Sequence, residues 1–390
     1  MNRREFLRLC QLLGLTLSTH SVLRASKATQ RFSDKHSTPV VIIGAGAAGL
    51  SAGYLLKQLG IDFKILEASS IHGGRMKHTT EFANFPIPLG AEWIHVEPKI
   101  LKEIVNDDSV RIDINTRHYD PDVDYVVYEG ERLSLKEAGF TKESKFINST
   151  WFDFYERYIL GSIKSHITYN SIVDAIDYSD DICRVRAKDK VYEASQVIVT
   201  IPVKRLQMGA ITFNPRLPSK KQKAIEKVRV WSGCKAFIEF SEKFYPVLVE
   251  YKMNPETAGQ KLYYDAAYGQ NTSQNILGLF AVGSAAQPYL GLNDNELVAY
   301  ILDELDKLFG HNASGSYIKH VFQNWDADPF ANGAYVVDHE NWRVVRRLGK
   351  AVDNRLFFAG DAYTDGDDWS SVHTAARSAK RAVESILENY

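Results

Sequence analysis

The chain has 390 residues, of which 45 % are hydrophobic and 24 % charged, with a formal net charge of −1. That is enough for two domains, or one large α/β domain with an elaboration, each with an ordinary packed core, and it excludes wholesale disorder. Lys and Arg are spread along the chain, so no basic patch of the kind that marks a nucleic-acid surface stands out, and no nucleic-acid partner is expected.

The first segment, "MNRREFLRLCQLLGLTLSTHSVL", sets Arg3 and Arg4 ahead of a moderate apolar run. It reads as a twin-arginine export signal over residues 1–28, too short and too rich in Ser and Thr to span a bilayer. The expectation is a protein exported in its folded state by the twin-arginine machinery to the periplasm, without a stable membrane anchor. Cys10 leaves with the signal, and Cys183 and Cys234 are expected as buried thiols, since two cysteines make no disulfide framework.

"PVVIIGAGAAGLSAGYLLKQLGIDFKILEA" follows, from Pro39 to Ala68. Val40–Ile43 is a short apolar run, predicted as a strand buried on both faces. Gly44, Gly46 and Gly49 have G-x-G-x-x-G spacing, and the next segment reads as a helix closed by Gly60. "IDFKILE" is a second strand ending on Glu67, at the separation expected of an acid that binds ribose hydroxyls. Strand, turn, helix, strand and acid together predict a dinucleotide fold with the pyrophosphate at the helix N-terminus. Glu67 favours an unphosphorylated ribose, which fits FAD or NAD.

Further along come "GGR" (Gly73 to Arg75), "PLGAEWIH" (Pro88 to His95), a buried strand "VRVWSGCKAFIEF" carrying Lys235, "NWDADPFANGAY", and a strand "LFFAGD" ending at Asp361. "SSVHTAARSAKRAVESIL" reads as a final helix, with Asp361 as a candidate N-cap to it. Ser371 and His373 with Asp367 or Asp368 lack the geometry of a nucleophile elbow, so no hydrolytic triad is expected. His72, His78 and His95 lack metal-ligand spacing, and no metal is expected. "RLPSKKQKAIEKVRV" reads as a solvated helix face.

In order and spacing these segments resemble the flavin-containing amine oxidases, the family of monoamine and polyamine oxidases, through nearly the whole mature chain. The resemblance implies a Rossmann-like α/β FAD domain built from residues 39–99, 167–215 and 340–390. A mixed-sheet-plus-helices substrate domain would be built from 100–166 and 216–339.

It also implies that Gly44, Gly46, Ala48, Gly49, Glu67, Ala68, Gly74, Arg75, Gly90, Ala91, Glu92, Trp93, Val173, Gly360, Asp361, Ser371 and Val372 bind FAD. Lys235 would reach flavin N5 through a water, Tyr335 would flank the amine path, and Trp325 would stand near the flavin. Binding is expected to be non-covalent, because Ala334 stands where flavinylated members carry Cys.

Ser371 stands in place of the second cage aromatic, with Trp369 as a candidate substitute. Ser370 and Thr374 replace glycines, and His72 replaces an apolar residue. The short 100–166 insertion implies a wide entrance or one completed by a second subunit in a homo-oligomer.

The implied reaction is hydride transfer from an amine carbon to flavin N5, imine hydrolysis to aldehyde or ketone, and reduction of dioxygen, or another acceptor, to hydrogen peroxide. An L-amino acid oxidase, a desaturase and a non-catalytic FAD-binding or redox-partner protein are the alternatives, and a nicotinamide dehydrogenase fits less well.

Overall fold

The computed structural model describes residues 38–120, 143–253, 258–310, 312–337, 342–364 and 370–388, with the backbone of Tyr125–Tyr128 and Glu131–Ser134. The expected signal segment and Trp369 lie outside the described residues.

Val40–Ile43 (β1) forms as its apolar run predicts, and all four residues are buried. It is the middle strand of a five-stranded parallel sheet in the order Leu356–Phe358, Val197–Val199, β1, Phe63–Leu66 (β2), Ile167–Thr168. Alternation sends Val40 and Ile42 to one face and Val41 and Ile43 to the other. On the first face lie helix Ala47–Gln58 (α1) and the C-terminal helix Val372–Glu388 (α2). The second face is covered by a four-stranded sheet (residues 173–177, 183–187, 190–194 and 212–214) and by helices Ser219–Lys227 and Trp342–Leu348.

α1 ends where glycine allows it. Gly60 takes φ +69, and the N–H groups of Gly60 and Ile61 donate back to Lys57 and Leu56 carbonyls at 3.1 and 3.0 Å.

The second half is a seven-stranded sheet in the order Tyr317–Asn324, Gly233–Phe240, Asn275–Val282, Gln260–Asp265, Leu248–Glu250, Tyr125–Tyr128, Glu131–Ser134. Helix Asp294–Phe309, opened by an Asn293/Glu296 capping box, packs one face of it. The other face looks onto the first half.

The expected boundary at residue 100 does not coincide with a break in packing. Ile100–Val105 and the Trp151–Ile163 helical stretch bury Ile100, Leu101, Ile104, Trp151, Phe154 and Ile163 in the same core as α1 and α2. Their apolar faces have the nucleotide sheet's helices to pack on, so much of the 100–166 insertion joins that half.

Cys183 and Cys234 are buried and unpaired. Among the described residues, no helix is long and apolar enough to cross a membrane, and no cluster of His, Cys, Asp and Glu has the form of a metal site.

Candidate functional site

At the carboxyl end of β1, Gly44 turns with φ +103, and a Cβ there would press within 2.8 Å of Thr200 Oγ1. Thr200 locks the turn by donating to the Ile43 carbonyl at 2.7 Å. Gly49 stands behind this turn and brings α1 against it. Gly46 is the opposite case, because a Cβ on it would meet nothing within 4 Å. Gly46 caps α1 without a side-chain hydrogen bond, and no acid sits in the first turn. The first-turn N–H groups and the helix dipole are therefore left for an anion in the open space beside Gly46. Ala48 lines the same wall.

Glu67, at the end of β2, accepts from Ala45 N at 2.6 Å and Ser69 N at 2.8 Å. Burial pushes its carboxyl above the usual range against the pull of these bonds. Ala68 and Val173 continue the wall on this side. Gly73 is tied to the phosphate turn by its N–H on the Ala45 carbonyl at 2.8 Å, and Gly74 packs against Gly46.

Arg75 brings together segments far apart in sequence. Its guanidinium pairs with Asp361 Oδ1 at 2.5 Å and also donates to the Ala334 carbonyl. Its own carbonyl accepts from Ala91 N at 2.9 Å, with Gly90 too close for any side chain. Asp361 does not cap α2, which begins eleven residues later. The Asp361 carbonyl instead accepts from Ser370 N at 3.0 Å, which holds Ser371 and Val372 at the cavity. Gly360 is fixed to α2 through Ser378 Oγ, which accepts from its N–H at 2.8 Å and donates to its carbonyl at 3.0 Å.

These residues line one continuous cavity of about 860 Å³ that runs from the phosphate turn to the seven-stranded sheet. At its far wall Lys235 projects from Gly233–Phe240 and is 3 % exposed. Its ammonium pairs with Glu92 Oε2 at 2.7 Å and donates to the Pro88 carbonyl at 3.3 Å. Tyr264 O–H donates to the same Glu92 oxygen at 2.5 Å, and Lys145 Nζ lies 3.7 Å from Oε1.

Burial lowers the proton affinity of both lysines, against the pull of Glu92. Burial alone would raise the Glu92 carboxyl, but Lys235 and Lys145 outweigh it and hold it below its usual range. Trp93 packs beside this cluster, its ring 4.9 Å from Tyr264 and 5.1 Å from the Lys235 ammonium.

Trp325 is buried, donates Nε1–H to the Leu89 carbonyl at 3.0 Å, and lines the cavity. Tyr335 is half-buried at the cavity wall and lies 5.9 Å from Trp231, whose N–H donates to the Tyr335 carbonyl at 2.9 Å.

The residues expected at the site therefore meet on one cavity, with Gly49 behind its wall. Glu250 and Thr200 were not expected there, nor was Lys145, which stands behind Glu92 rather than on the cavity lining. "KESKF" around Lys145 looks like a surface segment, and Glu250 reaches the cavity only through strand register.

A profile of the flavin containing amine oxidoreductase family matches residues 153–387, and an NAD(P)-binding Rossmann-like domain matches residues 42–107. The chain belongs to the flavin-containing amine oxidoreductases.

Lysine-specific histone demethylase 1B of Mus musculus is 23 % identical over 84 % of this chain and 50 % of its own length. Polyamine oxidase 4 of Oryza sativa subsp. japonica is 24 % identical over 88 % of each chain. The chain thus spans about half the length of the first of these relatives. A solved putrescine oxidase bound to putrescine shares the fold with a TM-score of 0.72 at 15 % identity, over 90 % of this chain and 99 % of that one.

The family's FAD fits what the structure offers. An uncapped helix N-terminus faces open space at Gly46, an acid stands at the end of β2, and one cavity joins both to a buried lysine.

Proposed function

We propose that the protein oxidises amines, and that its preferred substrates carry a second positive charge. One observation carries this reading. Lys235, Phe280, Leu262 and Glu250 lie directly opposite one another across four neighbouring strands, and all four line the cavity. Residues opposite one another share a face, so the row runs from an ammonium across two apolar side chains to a carboxylate. Three strand spacings of about 4.8 Å put the ends of the row roughly 14 Å apart. Gln260 supports the Glu250 carboxylate by donating to Oε1 at 3.2 Å.

When bound, FAD would supply the redox chemistry, namely hydride acceptance from an amine carbon and delivery of electrons to dioxygen or another acceptor. In this reading Gly46, the α1 N-terminus, Glu67, Arg75 and Asp361 hold the cofactor. Lys235 faces the flavin, Tyr335 and Trp325 bound the amine path, and Phe280 and Leu262 exclude water from the substrate's carbon chain. Glu250 holds the remote ammonium. The polyamine oxidase relative and the putrescine-bound oxidase support a diamine or polyamine.

The test is peroxide release from FAD-loaded protein with monoamines and diamines of equal length. Diamines should be preferred, and Glu250→Gln should cost diamines about 10- to 100-fold in kcat/KM while sparing monoamines, as expected for a lost charged hydrogen bond. Equal use of both classes by parent and variant would reject the substrate reading, and no peroxide from any amine would reject the oxidase.

The reading includes export, supported by Arg3 and Arg4 ahead of an apolar run. Cell fractionation tests it, and retention in the cytoplasm of a host with a working twin-arginine pathway would refute it.

A further inference from the structure

Lys145 is 2 % exposed on Ser144–Phe146, a short strand paired with Thr116–His118. It donates to the Ala266 carbonyl at 2.7 Å and faces Glu92, which already pairs with Lys235. One carboxylate therefore serves two buried ammonium groups. A single buried ion pair is at best close to neutral for stability, and each added ion costs several kcal/mol in desolvation. A second lysine is poorly explained as a stabilising device, because apolar side chains would fill the same space at less cost.

Among the described residues, the other ionisable groups that bear on the cluster have partners of their own. Tyr264 donates to Glu92, and Tyr119 accepts from Trp93 Nε1 at 3.2 Å and stacks on Tyr268. Asp265 is paired with Lys243 at 2.6 Å, and His118 is bonded to Ser144 Oγ at 2.9 Å. With both lysines protonated, Lys145, Lys235 and Glu92 together carry a surplus positive charge beside the cavity.

We propose that Lys145 is a positioning residue: it anchors one oxygen of Glu92 so that the other holds Lys235 in the cavity wall, and its charge opposes a proton on Lys235. This rests on the reading of Lys235 as the residue that faces the flavin. Removing Lys145 takes away a repulsion, so Lys235 keeps its proton to higher pH. Removing the Glu92 charge takes away an attraction, so Lys235 gives it up at lower pH.

The experiment measures the midpoint potential of bound FAD across pH in the parent, Lys145→Met, Glu92→Gln and Lys235→Met. The inflection that Lys235→Met abolishes belongs to Lys235. It should move up by about one pH unit in Lys145→Met and down by a similar amount in Glu92→Gln, and Lys145→Arg should restore the parent position. If Lys145→Met fails to load FAD, Lys145→Gln makes the same charge change while still able to donate to Ala266.

An unmoved inflection in an FAD-loaded Lys145 variant lacking the charge overturns the proposal and leaves the reading of Lys235 standing. If Lys235→Met abolishes no inflection, the reading of Lys235 itself fails, and the proposal fails with it.

Discussion

Replacing Gly46 or Gly49 by alanine adds one methyl group to the same turn, yet the two variants should fail in different assays. At Gly49 the new Cβ would lie 1.9 Å from the Gly44 carbonyl oxygen and 3.1 Å from Thr200 Oγ1. Ordinary contact between such atoms needs roughly 3.5 Å, so α1 must retreat from β1 by more than 1 Å. Overpacking of this kind costs about 1–3 kcal/mol, or roughly 1–4 °C in melting temperature for a chain of this size.

At Gly46 the backbone is extended, with φ −79 and ψ −172, and a Cβ meets nothing. Alanine there should leave the apo-protein as stable as the parent or up to about 1 kcal/mol more stable, because the unfolded chain loses freedom. The methyl group instead occupies the space needed by the pyrophosphate, and FAD affinity should fall by about 10- to 100-fold. Thermal melts of the apo-proteins and FAD titrations followed by fluorescence separate the two effects. An apo Gly49→Ala melting with the parent, or a Gly46→Ala binding FAD as the parent does, would refute the reasoning.

Three further outcomes follow from polar groups that are wholly or partly buried. Arg75→Met strips Asp361 of its 2.5 Å partner and should weaken FAD binding about 10-fold or more, measured by the same titration; unchanged affinity would remove the pair from the site. Lys221 is buried, donates to the Leu348 and Lys350 carbonyls, and is lowered by burial to about 7. Its folded value lies below its unfolded value, so the unfolded chain binds more protons between about pH 7 and 10, and stability relative to Lys221→Met should rise with pH across that window. Parallel curves for the two proteins would show that Lys221 does not titrate there. Thr374 Oγ1 is buried without a hydrogen-bond partner among the described residues, so Thr374→Val should raise apo-protein stability by about 1 kcal/mol in denaturant melts, and a loss would point to a hidden partner.

The nucleotide half was legible because its signals are local. Val40–Ile43, the glycine spacing and Glu67 lie within one stretch, and each constrains its neighbours through backbone geometry. Lys235 was legible because a charge inside an apolar alternating strand demands a reason. Lys145 gave no such signal, since "KESKF" is polar and its burial comes from pairing with residues 116–118 and from the Ile94–Ser144 bridge. Glu250 was hidden for a related reason, because its place on the cavity depends on register across four strands. Packing within 100–166 was hidden as well, because apolar helical faces pack wherever an apolar partner is offered, here α1 and α2.

The two ends of the cross-strand row make a last prediction about protonation. An amine gives up hydride as the neutral base, while a free alkylamine holds its proton to about pH 10. A surplus positive charge some 5 Å away opposes that proton by on the order of 3 kcal/mol at an effective dielectric of about 20, equivalent to roughly two pH units. At Glu250, some 14 Å along the row, the same repulsion falls to about 1 kcal/mol, and the carboxylate works in the opposite sense.

A diamine would then sit as a monocation, neutral beside Lys235 and charged beside Glu250. Its affinity for the oxidised protein should rise from pH 7 to 9 in the parent, as the near amine deprotonates. It should rise less steeply in Lys145→Met, where the near end carries less surplus charge. Glu250→Gln should lower diamine affinity at every pH without moving the midpoint. A diamine whose affinity falls steadily between pH 7 and 9 binds as the dication, and the charge asymmetry of the row then does not orient it.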